Sequence, residues 1–185
     1  NFNLRNLKNP IFSLNCRGQL HEFKDVVLMG ILNVTPDSFY DGGRFNTLDY
    51  AVEHAANMLA EGAQIIDVGG MSTRPDAQMI SVQEELDRVI PIIEAVRSRL
   101  DVCISVDTSS PVVMEQAIIS GAELINDVRA LSTPGAIEVV GASKAAVCLM
   151  HMQGTPNTMQ KDVNNSSYEN VVEEVFEFLK ARAEH

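Results

Sequence analysis

Five times along the chain a short apolar run breaks off into a polar side chain, and each time a helical pattern follows. The first run, residues 26–32, is near-continuously apolar, as a strand buried on both faces requires. It ends in Asn33, Thr35, Asp37 and Ser38, and Pro36, unable to donate to a ladder, limits the strand. The other runs are 64–68, 102–106, 122–125 and 145–150, with polar ends at Asp67, Asp107, Asn126 and His151. Helical spacing connects them. Asn46 is the expected N-cap of a helix carrying Leu48, Val52, Ala55 and Leu59 and closed by Gly62. The capping box Ser81-x-x-Glu84 opens a second helix, with a kink expected at Pro91. Ser110 as cap and Pro111 in first position open a third, closed by Gly121. A short helix starts near Thr133-Pro134, and a last one, opened by Ser166-x-x-Glu169, carries Val171, Val172, Val175, Phe176 and Leu179. Ahead of all this, residues 9–25 alternate about Arg17-Gly18 as a hairpin does, and such a hairpin could plug the bottom of a barrel.

Strict strand–helix alternation predicts a parallel sheet with right-handed crossovers. Polar ends on every strand favour an α/β TIM barrel, (β/α)8, over an open sheet, because a barrel gathers its site from all strand ends. A full barrel needs eight units and about 250 residues. The chain carries an N-terminal hairpin and about five βα units, so residues 1–185 are expected to form one domain: a hairpin segment, 1–25, and a partial barrel, 26–185, without the C-terminal units. A start at Asn1 rather than Met points to a longer parent chain.

Charge narrows the partners. A net charge of −11 argues against general affinity for nucleic acid or an anionic membrane, so any phosphate site has to be built locally. No apolar run approaches the roughly 20 residues of a membrane span. Cys16, Cys103 and Cys148 are far apart and odd in number, and read as buried thiols of a reducing cytosol rather than disulfides or a metal cluster. His54 and His151 have no partner at metal-ligand spacing, and the acidic pairs Glu84/Glu85 and Glu173/Glu174 read as solvated helix faces.

At the strand ends, Asn33 offers a neutral oxygen to a hard cation or a substrate donor, or equally caps the turn that follows. The run Gly69-Gly-Met-Ser-Thr-Arg-Pro75 combines flexible backbone, hydroxyl and guanidinium, a weak anion-site signal in isolation. Asp107 and Asn126 end adjacent strands, placing a carboxylate beside a carboxamide, a pair suited to the donor–acceptor edge of a nitrogen heterocycle. Val128 and Met150 stand where they could sandwich a flat ring, although Met in a strand is usually core filler.

Five blocks together, Gly30-Ile-Leu-Asn-Val-Thr-Pro-Asp-Ser-Phe39, Asp67-Val-Gly-Gly70 with Ser72-Thr-Arg-Pro75, Ile104-Ser-Val-Asp-Thr-Ser109, Ile125-Asn-Asp127 and Cys148-Leu-Met-His-Met-Gln-Gly154, resemble dihydropteroate synthase in order and spacing. The resemblance implies a cytoplasmic transferase that joins p-aminobenzoate to 6-hydroxymethyl-7,8-dihydropterin pyrophosphate with Mg2+, competed by sulfonamides and homodimeric in its full-length form. It implies Asn33 as metal and pyrophosphate ligand, and Asp107, Asn126, Val128 and Met150 as the pterin pocket. Thr73 and Arg74 would lie near pyrophosphate and p-aminobenzoate, Phe39 and Pro75 would line the arylamine pocket, and Asp41 would pair with the loop Arg, making Asp41 and Arg74 the catalytic pair. Two departures stand in the second loop: Met71 replaces the family's usual Glu, and Asp76 a frequent Gly. The family's later blocks, with a second pterin carboxylate, a Lys and an Arg-x-His segment, have no counterpart. Two other readings stay open: a non-catalytic pterin-binding homologue acting as a partner, and a pterin-dependent methyltransferase serving a corrinoid.

Overall fold

The computed structural model describes residues 12–16, 18–23, 26–34, 44–70, 80–152, 168 and 170–184. A hairpin of β1 (Phe12–Cys16) and β2 (Gln19–Phe23) comes first, turning at Gly18, whose φ of +88° suits glycine and whose N–H donates to Asn15 Oδ1. Then β3 (Met29–Asn33), β4 (Ile65–Gly69), β5 (Cys103–Asp107), β6 (Leu124–Asp127) and β7 (Ala146–Leu149) form a parallel sheet in chain order. The helices are α1 (Arg44–Ala60), α2 (Val82–Arg99), α3 (Pro111–Ser120), α4 (Ala136–Ala142) and α5 (Val171–Ala183). Strand order without reversal is barrel order; a doubly wound sheet would fold back at a switch point.

Side chains alternate across the strands and divide the core in two. Leu32, Ile66, Val68, Ile104, Val106 and Ile125 point outward and pack under the helices with Val89, Ile92, Ile93, Val96 and Met114. On the inner face, at the N-terminal ends of the strands, Ile65, Cys103 and Leu124 pack with Phe23 of the hairpin. The hairpin therefore lies under the barrel floor, as its position in the sequence predicted. Two glycines admit the helices: a Cβ on Gly30 would meet Met58 Sδ at 2.7 Å, and one on Gly70 would meet Val89 Cγ2 at 2.7 Å and Glu85 Cγ at 3.3 Å. Met58 can swing aside; the fully buried Val89 cannot. Gly70→Ala is expected to cost about 1–3 kcal/mol, by overpacking, in a denaturant melt.

Several expectations need correction. The run 26–32 is not buried on both faces: Ile31 is 62% exposed because β3 is an edge strand among the described residues, and Val26, 85% exposed, precedes the strand. Helix α1 begins at Arg44, ahead of Asn46. Ser81 does cap α2, as expected, accepting from Glu84 N at 3.1 Å, and Pro91 lies inside that helix, which runs to Arg99. Ser110 occupies the cap of α3 without a capping bond from its hydroxyl; its N–H donates instead to Thr108 Oγ1. α5 is capped by Asn170, whose side chain accepts from Glu173 N, whereas Ser166 and Glu169 lie outside the described residues. No α5 residue is buried; Val171, Val172 and Phe176 are exposed. Cys148 is exposed, since it faces inward from the edge strand β7. Glu85 is 4% exposed, not a solvated face.

Candidate active site

Register builds the site. Asn33 pairs with Gly69, Gly69 with Asp107, Asp107 with Asn126, and Asn126 with Cys148. One row thus crosses all five parallel strands at their C-terminal ends, on the inner face. Two residues earlier the same face presents Asp67 and Ser105, both buried. Gly69 leaves space where Asn33 Oδ1 and Asp107 Oδ2 would each stand 3.7 Å from an added Cβ, so carboxamide and carboxylate oxygens flank one opening. The expected grouping of Asn33, Asp107 and Asn126 is what the sheet delivers.

Asp67 completes the grouping, and the sequence reading assigned it no role. Its Oδ2 accepts from Asn126 Nδ2 at 2.9 Å, which fixes the orientation of the carboxamide. Asp67 Oδ1 and Ser105 Oγ are buried without hydrogen-bond partners among the described residues. Burial raises the Asp67 carboxyl above its usual range, opposed by the neighbouring Ser105 and Asn126 side chains. Asp107 is pushed up to about 7, first by burial and then by the charges of Asp67, Asp127 and Glu85. A carboxyl at that value is a proton acceptor or donor near neutrality.

The walls are held from behind. Glu85 of α2 accepts from Thr108 Oγ1 at 2.6 Å, and burial raises its pKa against that bond. Arg88 donates to Gly70 O at 3.1 Å and pairs with Glu84, fastening the end of β4 to the same helix. Asp127, fully buried and pointing to the helix layer, accepts from Ser109 Oγ at 2.5 Å, Arg129 N at 2.9 Å and Leu131 N at 2.7 Å. Ala130 and Leu131 hold φ of +50° and +58°, strained for residues with a Cβ. Arg182 of α5 clamps their carbonyls at 2.7 and 2.6 Å. Val128 begins this turn, half-buried, and Met150 stands half-buried just past β7. His151 packs edge-on against Phe178, and His54 stacks on Tyr50. Phe39, Asp41, Thr73, Arg74 and Pro75 lie outside the described residues. Nothing in the sequence pattern marked Glu85 or Asp127 as buried. The only available signals were their places beside a cap and a strand end.

A chain-ordered parallel sheet with a polar row across its strand ends defines the class: a TIM-barrel protein whose mouth is equipped for a polar ligand. Residues 29–185 match the family described as pterin binding enzyme, and the chain belongs to that family. It is 56% identical over 155 residues to dihydropteroate synthase of Haemophilus influenzae, covering 84% of this chain and 55% of that protein. It superposes on Yersinia pestis dihydropteroate synthase in complex with a sulfonamide drug, with TM-score 0.83 and 47% identity, over 94% of this chain and 62% of that one. The Burkholderia cenocepacia enzyme complexed with 7,8-dihydropteroate gives TM-score 0.78 and 44% identity, over 93% and 57%. The fold is thus that of a partial TIM barrel, and the chain spans about half the length of the curated relatives it matches.

Proposed function

We propose that the chain serves as a dihydropteroate synthase of folate biosynthesis, joining p-aminobenzoate to 6-hydroxymethyl-7,8-dihydropterin pyrophosphate and releasing pyrophosphate. The row Asn33, Asp107, Asn126 along one sheet edge, with Asp67 behind it, carries the reading. As a carboxylate, Asp107 accepts two N–H donors from the amidine-like edge of the pterin, and the Asn126 oxygen reads its neighbour. Binding those donors draws Asp107 to its ionised form, which supports an electron-rich ring. The methylene C–O bond then breaks, pyrophosphate departs with the electron pair, the arylamine nitrogen bonds that carbon, and the amine proton leaves.

Val128 and Met150 flank the ring in this reading. Thr73, Arg74, Phe39 and Pro75 receive the pyrophosphate and arylamine, and Asp41 pairs with the loop Arg, on the strength of their sequence blocks. Asn33 is exposed, and its Oδ1, flanking with Asp107 Oδ2 the opening at Gly69, fits a hard cation that takes few protein ligands. Mg2+ bound there would offset charge on the departing pyrophosphate. The family resemblance also brings a single pterin-binding domain over 1–185, a cytoplasmic setting and a homodimer in the full-length enzyme. No described helix is long and apolar enough to cross a membrane.

A second reading is a non-catalytic pterin-binding homologue that acts as an interaction partner. Calorimetry with the pterin pyrophosphate and a pyrophosphate-release assay with p-aminobenzoate decide between them. Asn126→Ala is expected to weaken pterin binding by about ten- to a hundredfold, the loss of one or two hydrogen bonds to a charged network. Unchanged affinity would remove the pterin assignment. Binding without release would leave the binder reading alone.

A further inference from the structure

We propose a second site at the opposite end of the strands: a cradle for a borderline-soft divalent cation, Zn2+ above all, formed by His21, Cys103 and Glu123. His21 lies on β2, Cys103 opens β5, and Glu123 immediately precedes β6. One ligand atom from each lies within 4.8 Å of the other two. Tetrahedral zinc, with bonds of about 2.0–2.3 Å, sets its ligand atoms about 3.3–3.8 Å apart, so a closure of about 1 Å completes the geometry. The three side chains line a cavity of about 320 Å³ shared with Arg97 and Asp101.

Two facts point to a ligand. His21 Nε2 is buried and makes no hydrogen bond among the described residues, although a buried ring nitrogen ordinarily has a partner. Glu123, 6% exposed, is already braced: Arg97 and the Ile104 N–H both donate to its Oε2, at 2.7 and 3.4 Å. Arg97 is itself tied to Gly121 O at 2.8 Å, the outer-partner arrangement that orients metal ligands.

The donor set selects the metal. Imidazole and thiolate suit Zn2+ and not Mg2+, which demands oxygens. On binding, the Cys103 S–H bond gives way to an S–metal bond and the proton leaves to solvent. Thiolate and carboxylate then offset the charge of the dication, and Arg97 stays paired with the Glu123 carboxylate behind them. Three protein ligands leave a fourth position for water. The site would staple the hairpin to β5 and to the entry of β6, away from the pterin row. The ligand spacing, 21, 103 and 123, forms no motif, so only the fold reveals it.

The test uses the metal-free chain in a Cys16→Ala, Cys148→Ala background, where Cys103 is the sole thiol. Titration with Co2+ should give one equivalent bound, with a thiolate-to-cobalt charge-transfer band that Zn2+ abolishes by displacement. Cys103→Ala should erase the band. His21→Ala and Glu123→Gln should each weaken Co2+ binding by at least about tenfold. Zn2+ should raise the melting temperature of the background protein but not of His21→Ala, whose metal-free melt should match the background. If Glu123→Gln fails to fold, His21→Ala decides alone. Absence of the band overturns the site, as does a band and affinity untouched by His21→Ala.

Discussion

Asp127→Ala should lower stability by several kcal/mol, the largest loss expected of any single side chain near the site. The carboxylate accepts three donors while fully buried, and its removal strands the Ser109 hydroxyl and the Arg129 and Leu131 amides, at about 1–3 kcal/mol each. The turn it organises contains two residues at positive φ, a conformation that persists only while its surroundings enforce it. Arg182 holds the same turn from α5 through the Ala130 and Leu131 carbonyls. Denaturant melts read the loss, and hydrogen exchange at Leu131 N reports whether the turn opens. A variant within 1 kcal/mol of the parent would show that water replaces the carboxylate.

Asp107→Asn should flatten the fall of stability with rising pH and should abolish pterin binding. In the folded chain the Asp107 carboxyl is raised from 3.8 to about 7 by burial and by Asp67, Asp127 and Glu85. Between those values the unfolded chain has released a proton that the folded chain keeps, so the unfolded state binds fewer protons. Stability is then greatest at the acid side of the window, falls as pH rises through it, and levels above about 7. Asp67 and Glu85, both raised by burial, act in the same direction and leave the variant some residual slope. At the alkaline side Asp107→Asn should be the more stable protein, by on the order of 1.4 kcal/mol for each unit of the shift it removes. Thermal melts from about pH 5 to about pH 8 check this. Equal slopes in variant and parent would mean that the proton resides elsewhere in the group.

The legible part of this chain was periodic. Apolar runs with polar ends, alternating with helical spacing, announced five parallel strands, and the ends Asn33, Asp107 and Asn126 fall in one row. Cap chemistry was read well where it is local, at Ser81 and Gly121, and less well where a neighbour competes. Ser110 holds the cap position with no bond to its hydroxyl, and Asn170 takes the role expected of Ser166. Burial of charge was not legible. Glu85 sits on a helix face that looks solvated until Gly70 and Thr108 close over it. Asp67 looked like one more strand end, since its bond to Asn126 spans 59 residues. The edges misled for the same reason: the apolarity of residues 26–32 and 171–176 carries no information about which neighbour covers them.

That polar row also fixes how the chain can fold. Sliding β5 by one position along β6 would present Thr108 in place of Asp107 and turn the carboxylate into the greasy layer beneath the helices. Misalignment and loss of ligand recognition are therefore a single event. A molecule able to hold the heterocycle has, by that fact, paired its strands correctly.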